Sequence, residues 1–124
     1  MVMDRPSHKE INRKIKQARE AISDSQFSIL NPVSVSADVL KLGFTIEGIS
    51  NILANLLSEI TPVDYAGAYP PQKSYESDIL DCELFTFRWA SKNLGGEIPL
   101  KFAFKGQKMW VVSLHEERKK GESR

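Results

Sequence analysis

Residues 98–115, "IPLKFAFKGQKMWVVSLH", decide how this chain folds. Ile98, Leu100, Phe102 and Phe104 alternate with Lys101 and Ala103. A period of two is the mark of a β-strand with one buried face. A second apolar run, residues 109–115, follows across a turn that contains Gly106. The two runs read as an antiparallel hairpin. Its register matters, because a slip of one residue turns every side chain to the other face.

Two registers compete. A two-residue turn at Gly106-Gln107 pairs Phe104 with Met109, Phe102 with Val111 and Leu100 with Ser113. His115 then lies opposite Ile98, on the core face. Turns with glycine in the first position are common, so local turn chemistry supports this arrangement. A three-residue turn instead pairs Phe104 with Trp110, Phe102 with Val112 and Leu100 with Leu114. Ser113 and His115 then share a face with Lys101. This second register buries more apolar surface, at about 25 cal/mol per Å2, and is the favoured expectation.

Working outward, Phe85, Phe87 and Trp89 alternate with Thr86 and Arg88, a further half-buried strand that "ASKNLGGE" turns back. The N-terminal half has the helical period instead. Ser7 and Glu10 form a capping-box pattern, and Ile11, Ile15, Ala18 and Ile22 recur along one stripe, predicting a helix over residues 8–22. "SDSQFSILNP" breaks it, and Pro32 opposes its continuation. "SVSADVLKLGF" opens either as a short strand or as a brief helix capped by Ser36 and stopped at Gly43. Ile49, Ile52, Leu53, Leu56 and Ile60, with Leu57 widening the stripe, predict the main core helix, with Pro62 just past its end. "VDYAGAYPPQKSYES" is a long loop, and long loops in small domains are more often functional than idle. Helices followed by a meander make the expected fold α+β, with N-terminal helices packed on one face of a three- to four-stranded antiparallel sheet.

The 124 residues suit one domain, 1–124, with residues 1–6 and 119–124 expected to fray. Seventeen basic residues against sixteen acidic leave a net charge of only +1, so any charged partner must be met by a local patch. Cys82 is the sole cysteine, which rules out an intrachain disulfide and a thiolate metal cluster. Two histidines without clustered carboxylates argue against a transition-metal site, and no cofactor is expected. No apolar run approaches the roughly 20 residues of a membrane span, and the first ten residues are too polar for a secretory signal. The expectation is a cytoplasmic protein with no membrane partner.

In the favoured register the sheet face away from the helices carries Arg88, Lys101 and His115, with Lys92 and Arg118 available from adjacent chain ends. A basic sheet face with one imidazole suits the holding and cleavage of RNA. Cations position phosphates and offset charge developing at phosphorus, and a histidine exchanges protons near neutral pH without a metal. Lys73 and Tyr75 in the long loop add a cation and a ring able to stack on a base. Each residue also has a plainer reading. Strand lysines and arginines are often solvated or paired across strands, and loop tyrosines often pack their own loop. His8, in the first turn of a helix, is assigned nothing.

The order of segments, an N-terminal helix, "ADVLKLGFTIEGISNIL", a Tyr-rich connector, "ELF", "IPLKFAF" and "VVSLHEE", resembles the MqsR branch of the RelE-like messenger-RNA interferase toxins over roughly residues 10 to 118. The resemblance implies a RelE-like fold. It also implies a metal-independent endoribonuclease, acting on free or ribosome-bound mRNA and held inactive by a cognate antitoxin protein. The family's catalytic lysine at the end of its last strand falls on His115. Its tyrosine opening the preceding strand falls on Pro99. Its glutamine falls near Cys82 or Glu83, and Lys73 is the nearest candidate for its loop lysine. His115, Lys101 and Arg118 are thus the expected catalytic residues, and Arg88, Lys92, Lys73 and Tyr75 the expected RNA-binding ones. Pro99 and the missing glutamine leave a non-catalytic RNA- or protein-binding module as the alternative. Docking of a partner by strand addition at a sheet edge is the third reading.

Overall fold

Helix α1 (His8–Ser23) begins where the sequence places its cap: the Ser7 hydroxyl accepts the Glu10 N–H at 3.1 Å. Ile11, Ile15, Ala18, Ala21 and Ile22 form its buried stripe. The helix ends in a tight reversal, with Gln26 N–H donating to Ala21 O at 2.7 Å and Ser25 in the left-handed region at φ 58°. That reversal delivers the chain directly into strand β1 (Phe27–Ile29). The computed structural model describes residues 6–32, 35, 37, 48–92 and 95–114. Most of the segment expected to end at Gly43 lies outside them.

Helix α2 (Ile49–Glu59) buries Ile52, Leu53, Leu56 and Leu57. Ile60 has left the helix for an extended conformation yet remains buried, and Pro62 opens a short 3-10 turn, Pro62–Asp64. Arg19 of α1 donates through Nε to Leu57 O at 2.8 Å. It thereby satisfies a carbonyl that the helix end leaves without an internal partner, at the end where the dipole favours a cation.

Strands β2 (Phe85–Ser91), β3 (Gly96–Lys105) and β4 (Lys108–Ser113) complete a four-stranded sheet in the order β1-β4-β3-β2. The helices cover one face of it. Phe85, Phe87, Trp89, Ile98, Leu100, Phe102, Met109 and Val111 meet α1 and α2 in one core, where the Phe87 and Phe102 rings stack at 5.5 Å. The sheet is mixed rather than antiparallel, because β1 runs parallel to β4, with Phe27 opposite Met109 and Ile29 opposite Val111. A short turn forces its two strands to be antiparallel, and such a turn joins β3 to β4. β1 arrives from α1 with the rest of the chain intervening, so only packing sets its direction.

The β3–β4 hairpin combines both registers considered above. At the turn, Phe104 pairs with Met109 and Phe102 with Val111, as the two-residue Gly106-Gln107 connection dictates. Gly106 supplies the required left-handed backbone at φ 63°. The three-residue turn is therefore not formed. Beyond Phe102 the ladder shifts, and Lys101 pairs with Ser113. Val112 is the additional residue of a β-bulge. The bulge lets turn chemistry decide the near end while Leu114, only 4% exposed, is still buried at the far end.

Candidate functional site

Alternation along β2 and β3 turns Thr86, Arg88, Pro99 and Lys101 away from the helices, and the shifted ladder adds Ser113. Pro99 is tolerated within a strand for an identifiable reason. Thr86 O points outward from the sheet edge, where it accepts Ala66 N–H at 2.8 Å. By alternation the backbone groups of Arg88 also face away from β3, so its partner Pro99 needs no N–H on that side.

The connector between α2 and β2 folds over this face. Tyr65 bridges to Phe87, and its hydroxyl donates to Ala68 O at 2.6 Å. Gly67 is required at this corner, since a Cβ there would lie 2.7 Å from the Tyr65 oxygen. Further on, Leu84 N–H donates to Gln72 O at 2.7 Å, Lys73 bridges to Glu83, and Ser74 N–H donates to Cys82 O at 2.9 Å. The tip of this loop, with its 3-10 turn Ser77–Ile79, contacts β3. Ile79 and Ala103 are fully buried there, apart from the main core, and Lys105 Nζ donates to Asp78 O at 3.2 Å. The outer face is thus capped at one end and open at the other.

Two adjoining clefts lie between the described residues of the connector and the sheet. The first, of about 220 Å3, is walled by Ala66, Gly67 and Gln72 of the connector and by Thr86, Arg88, Pro99, Lys101 and Ser113 of the sheet. Its described lining holds two cations and no carboxylate. The second, of about 360 Å3, is lined by Lys73, Ser74, Tyr75, Glu76, Asp81 and Val112, and it shares Gln72, Leu84 and Lys101 with the first. Lys101 therefore stands on the divide.

Of the expected site residues, the structure brings Lys101 and Arg88 together in the first cleft, and Lys101, Lys73 and Tyr75 together in the second. Arg88 also meets Glu97 at 3.4 Å. Lys92 lines neither cleft, since β2 ends at Ser91. His115 and Arg118 lie outside the described residues. Gln72 lines both clefts and was not among the expected residues. Its place comes from a backbone hydrogen bond to Leu84, for which the sequence holds no periodic signal. Thr86 and Ser113 share the open-face parity of Arg88 and Lys101, and that pattern was available to find them.

Among the described residues, no group of three or more His, Cys, Asp or Glu is arranged to hold a metal ion. Likewise no helix is long and apolar enough to cross a membrane. No model of a known protein family matches the chain, and no curated protein matches it in sequence. What the fold and the clefts define is a class: an α+β domain with a cation-lined recess between a connector loop and the sheet face that the helices leave free.

Proposed function

We propose that this chain is a RelE-like RNA endonuclease of the messenger-RNA interferase kind, acting without a metal and restrained by a cognate antitoxin protein. The observation that carries this reading is the first cleft, where Arg88 and Lys101 converge from neighbouring strands with polar Gln72, Thr86 and Ser113 around them. A recess with two cations and no lining carboxylate favours an anion, and its volume suits a phosphodiester group better than a large ligand. The resemblance drawn from "IPLKFAF" and "VVSLHEE" supplies the chemistry.

In the proposed reaction the 2′-oxygen of the substrate forms a bond to phosphorus while the bond from phosphorus to the 5′-oxygen breaks. The 2′-hydroxyl loses its proton to a base, the leaving oxygen gains one from an acid, and the products are a 2′,3′-cyclic phosphate and a 5′-hydroxyl. His115, two residues after Ser113 in sequence, is the proposed proton carrier. Lys101 offsets charge on the phosphoryl oxygens, with Arg118 as a second clamp and Arg88 positioning the strand. Lys73 and Tyr75 meet the adjoining nucleotide.

The test is single-stranded RNA incubated with the protein in EDTA, with and without ribosomes. Wild type is expected to release fragments with cyclic-phosphate ends, and His115→Ala and Lys101→Ala to lose at least about 100-fold in rate. Intact RNA under both conditions overturns the nuclease reading. A second reading has its own support: Pro99, which brings no titratable group, lines the cleft where the resembled family has a tyrosine. On that reading the domain binds RNA without cutting it, and His115→Ala retains full RNA affinity.

A further inference from the structure

We infer that the second cleft is a nucleobase subsite that prefers guanine, read by the carboxylates of Glu76 and Asp81; this rests on the RNA reading above. Size and charge separate the two clefts. Small-molecule sites begin at about 300 Å3, which the second cleft exceeds at about 360 Å3 and the first, at about 220 Å3, does not reach. Lys73 and Lys101 in the second lining are matched by Glu76 and Asp81, so its formal charges cancel. A phosphate gains nothing there over the first cleft, whereas an uncharged ring rich in hydrogen-bonding groups does. Leu84 and Val112 offer apolar surface to such a ring, and Tyr75, 96% exposed, presents its own ring to solvent beside them. Because the clefts share Gln72, Leu84 and Lys101, a base in one adjoins a phosphate in the other, as within one strand.

The carboxylates select the base. An ionised carboxylate only accepts hydrogen bonds. Guanine presents N1–H and the N2 amino group side by side, one donor for each of the two carboxylates, while its O6 and N7 accept from a lysine. Adenine and cytosine each offer a single amino group. Uracil offers one N–H flanked by two carbonyl oxygens, which the carboxylates repel. The backbones that carry both acids are held by the same residue: Asp81 N–H donates to Ser74 O at 2.9 Å and Glu76 N–H to Ser74 Oγ at 3.0 Å, with Ser74 itself 4% exposed.

The experiment is fluorescence anisotropy with labelled 2′-O-methyl oligouridylates, which resist cleavage through the 2′-hydroxyl. Each carries one central guanine, inosine, adenine or cytosine, or uracil throughout. Guanine is expected to bind about tenfold tighter than uracil, with inosine, which lacks the N2 amino group, in between. Asp81→Asn keeps a residue type that tolerates the left-handed φ of 65°, and Glu76→Gln is isosteric. Either variant is expected to cut the guanine preference below about threefold, being a loss of one partner of a bidentate contact. Equal affinity for all five oligonucleotides, or an undiminished preference in both variants, overturns the subsite while leaving the RNA reading in place. Failure of every oligonucleotide to bind overturns both.

Discussion

Ser113 stands opposite Lys101 only because Val112 is an extra residue in β4. The turn sets one register and the far end of the strand keeps another, with the bulge absorbing the difference. Bulges bend a strand and re-aim side chains. Here the two residues after the shift enter different clefts, Ser113 the first and Val112 the second. Deleting Val112 should leave Lys101 opposite Ser113, because the ladder then continues unbroken from Phe102 and Val111. The expected cost in stability is on the order of 1 kcal/mol, a fall of about 4 °C in Tm. RNA binding should weaken as the local twist between the clefts is lost. Cross-strand amide NOEs would report the pairing, and a Leu100–Ser113 pair in their place contradicts the bulge account.

Arg88 shares its guanidinium between the first cleft and Glu97, which approaches it at 3.4 Å on the neighbouring strand. The two side chains are 37% and 64% exposed, so their pairing contributes about 0–1 kcal/mol. Glu97→Gln should therefore leave stability nearly unchanged. Removing a carboxylate beside the proposed phosphate site should instead tighten RNA binding about two- to threefold at low salt, an advantage that fades as the Debye length shrinks. Lys101→Ala should lower the slope of log affinity against log salt by about one phosphate contact. A salt titration of all three proteins separates these effects.

The wall of the first cleft depends on Gly67. An added Cβ there would meet the Tyr65 oxygen at 2.7 Å and its ring carbon at 2.9 Å. Tyr65 has little room to yield. Its ring packs edge-on against Phe87 at 5.7 Å and Tyr69 at 5.2 Å, and its hydroxyl is held by Ala68 O. Gly67→Ala should cost about 1–3 kcal/mol by overpacking and should displace the connector from the cleft. Thermal unfolding measures the first effect and RNA affinity the second. An unchanged melting temperature would show that the corner is looser than its contacts indicate.

The strands with one buried face were legible in the sequence because burial imposes a period of two on Phe85–Trp89 and Ile98–Phe102, and the same parity placed Arg88 and Lys101 on the open side. β1 was not. Phe27-Ser28-Ile29 is too short to establish a period, and its parallel direction is a tertiary outcome. Turn chemistry and burial gave opposite registers for the hairpin because they act over different lengths, and the structure honours each in its own part. Lys92 has the parity of Arg88 but falls past the last residue of β2. Gln72 carried no signal, since backbone hydrogen bonds from Leu84 to Gln72 and from Ala66 to Thr86 draw the connector across the sheet. Such bonds are available to any residue type, so the sequence marked the loop without marking where it lands.

The floor beneath the site depends on how α1 is joined to α2, and Arg19 tests whether geometry or charge makes that joint. Its Nε donates to Leu57 O at 2.8 Å, and a terminal nitrogen reaches Ile60 O at a weaker 3.5 Å. A charge-assisted hydrogen bond of the first kind contributes about 1.5–3 kcal/mol, whereas a cation near a helix C-terminus contributes about 0.3–1 kcal/mol through the dipole alone. Arg19→Met keeps the apolar stem and should lose close to the first amount. Arg19→Lys restores the charge without the planar fork and should recover only the second. Denaturant unfolding of the three proteins decides it: full recovery by lysine would make the joint electrostatic, and partial recovery would make it a matter of directed hydrogen bonding.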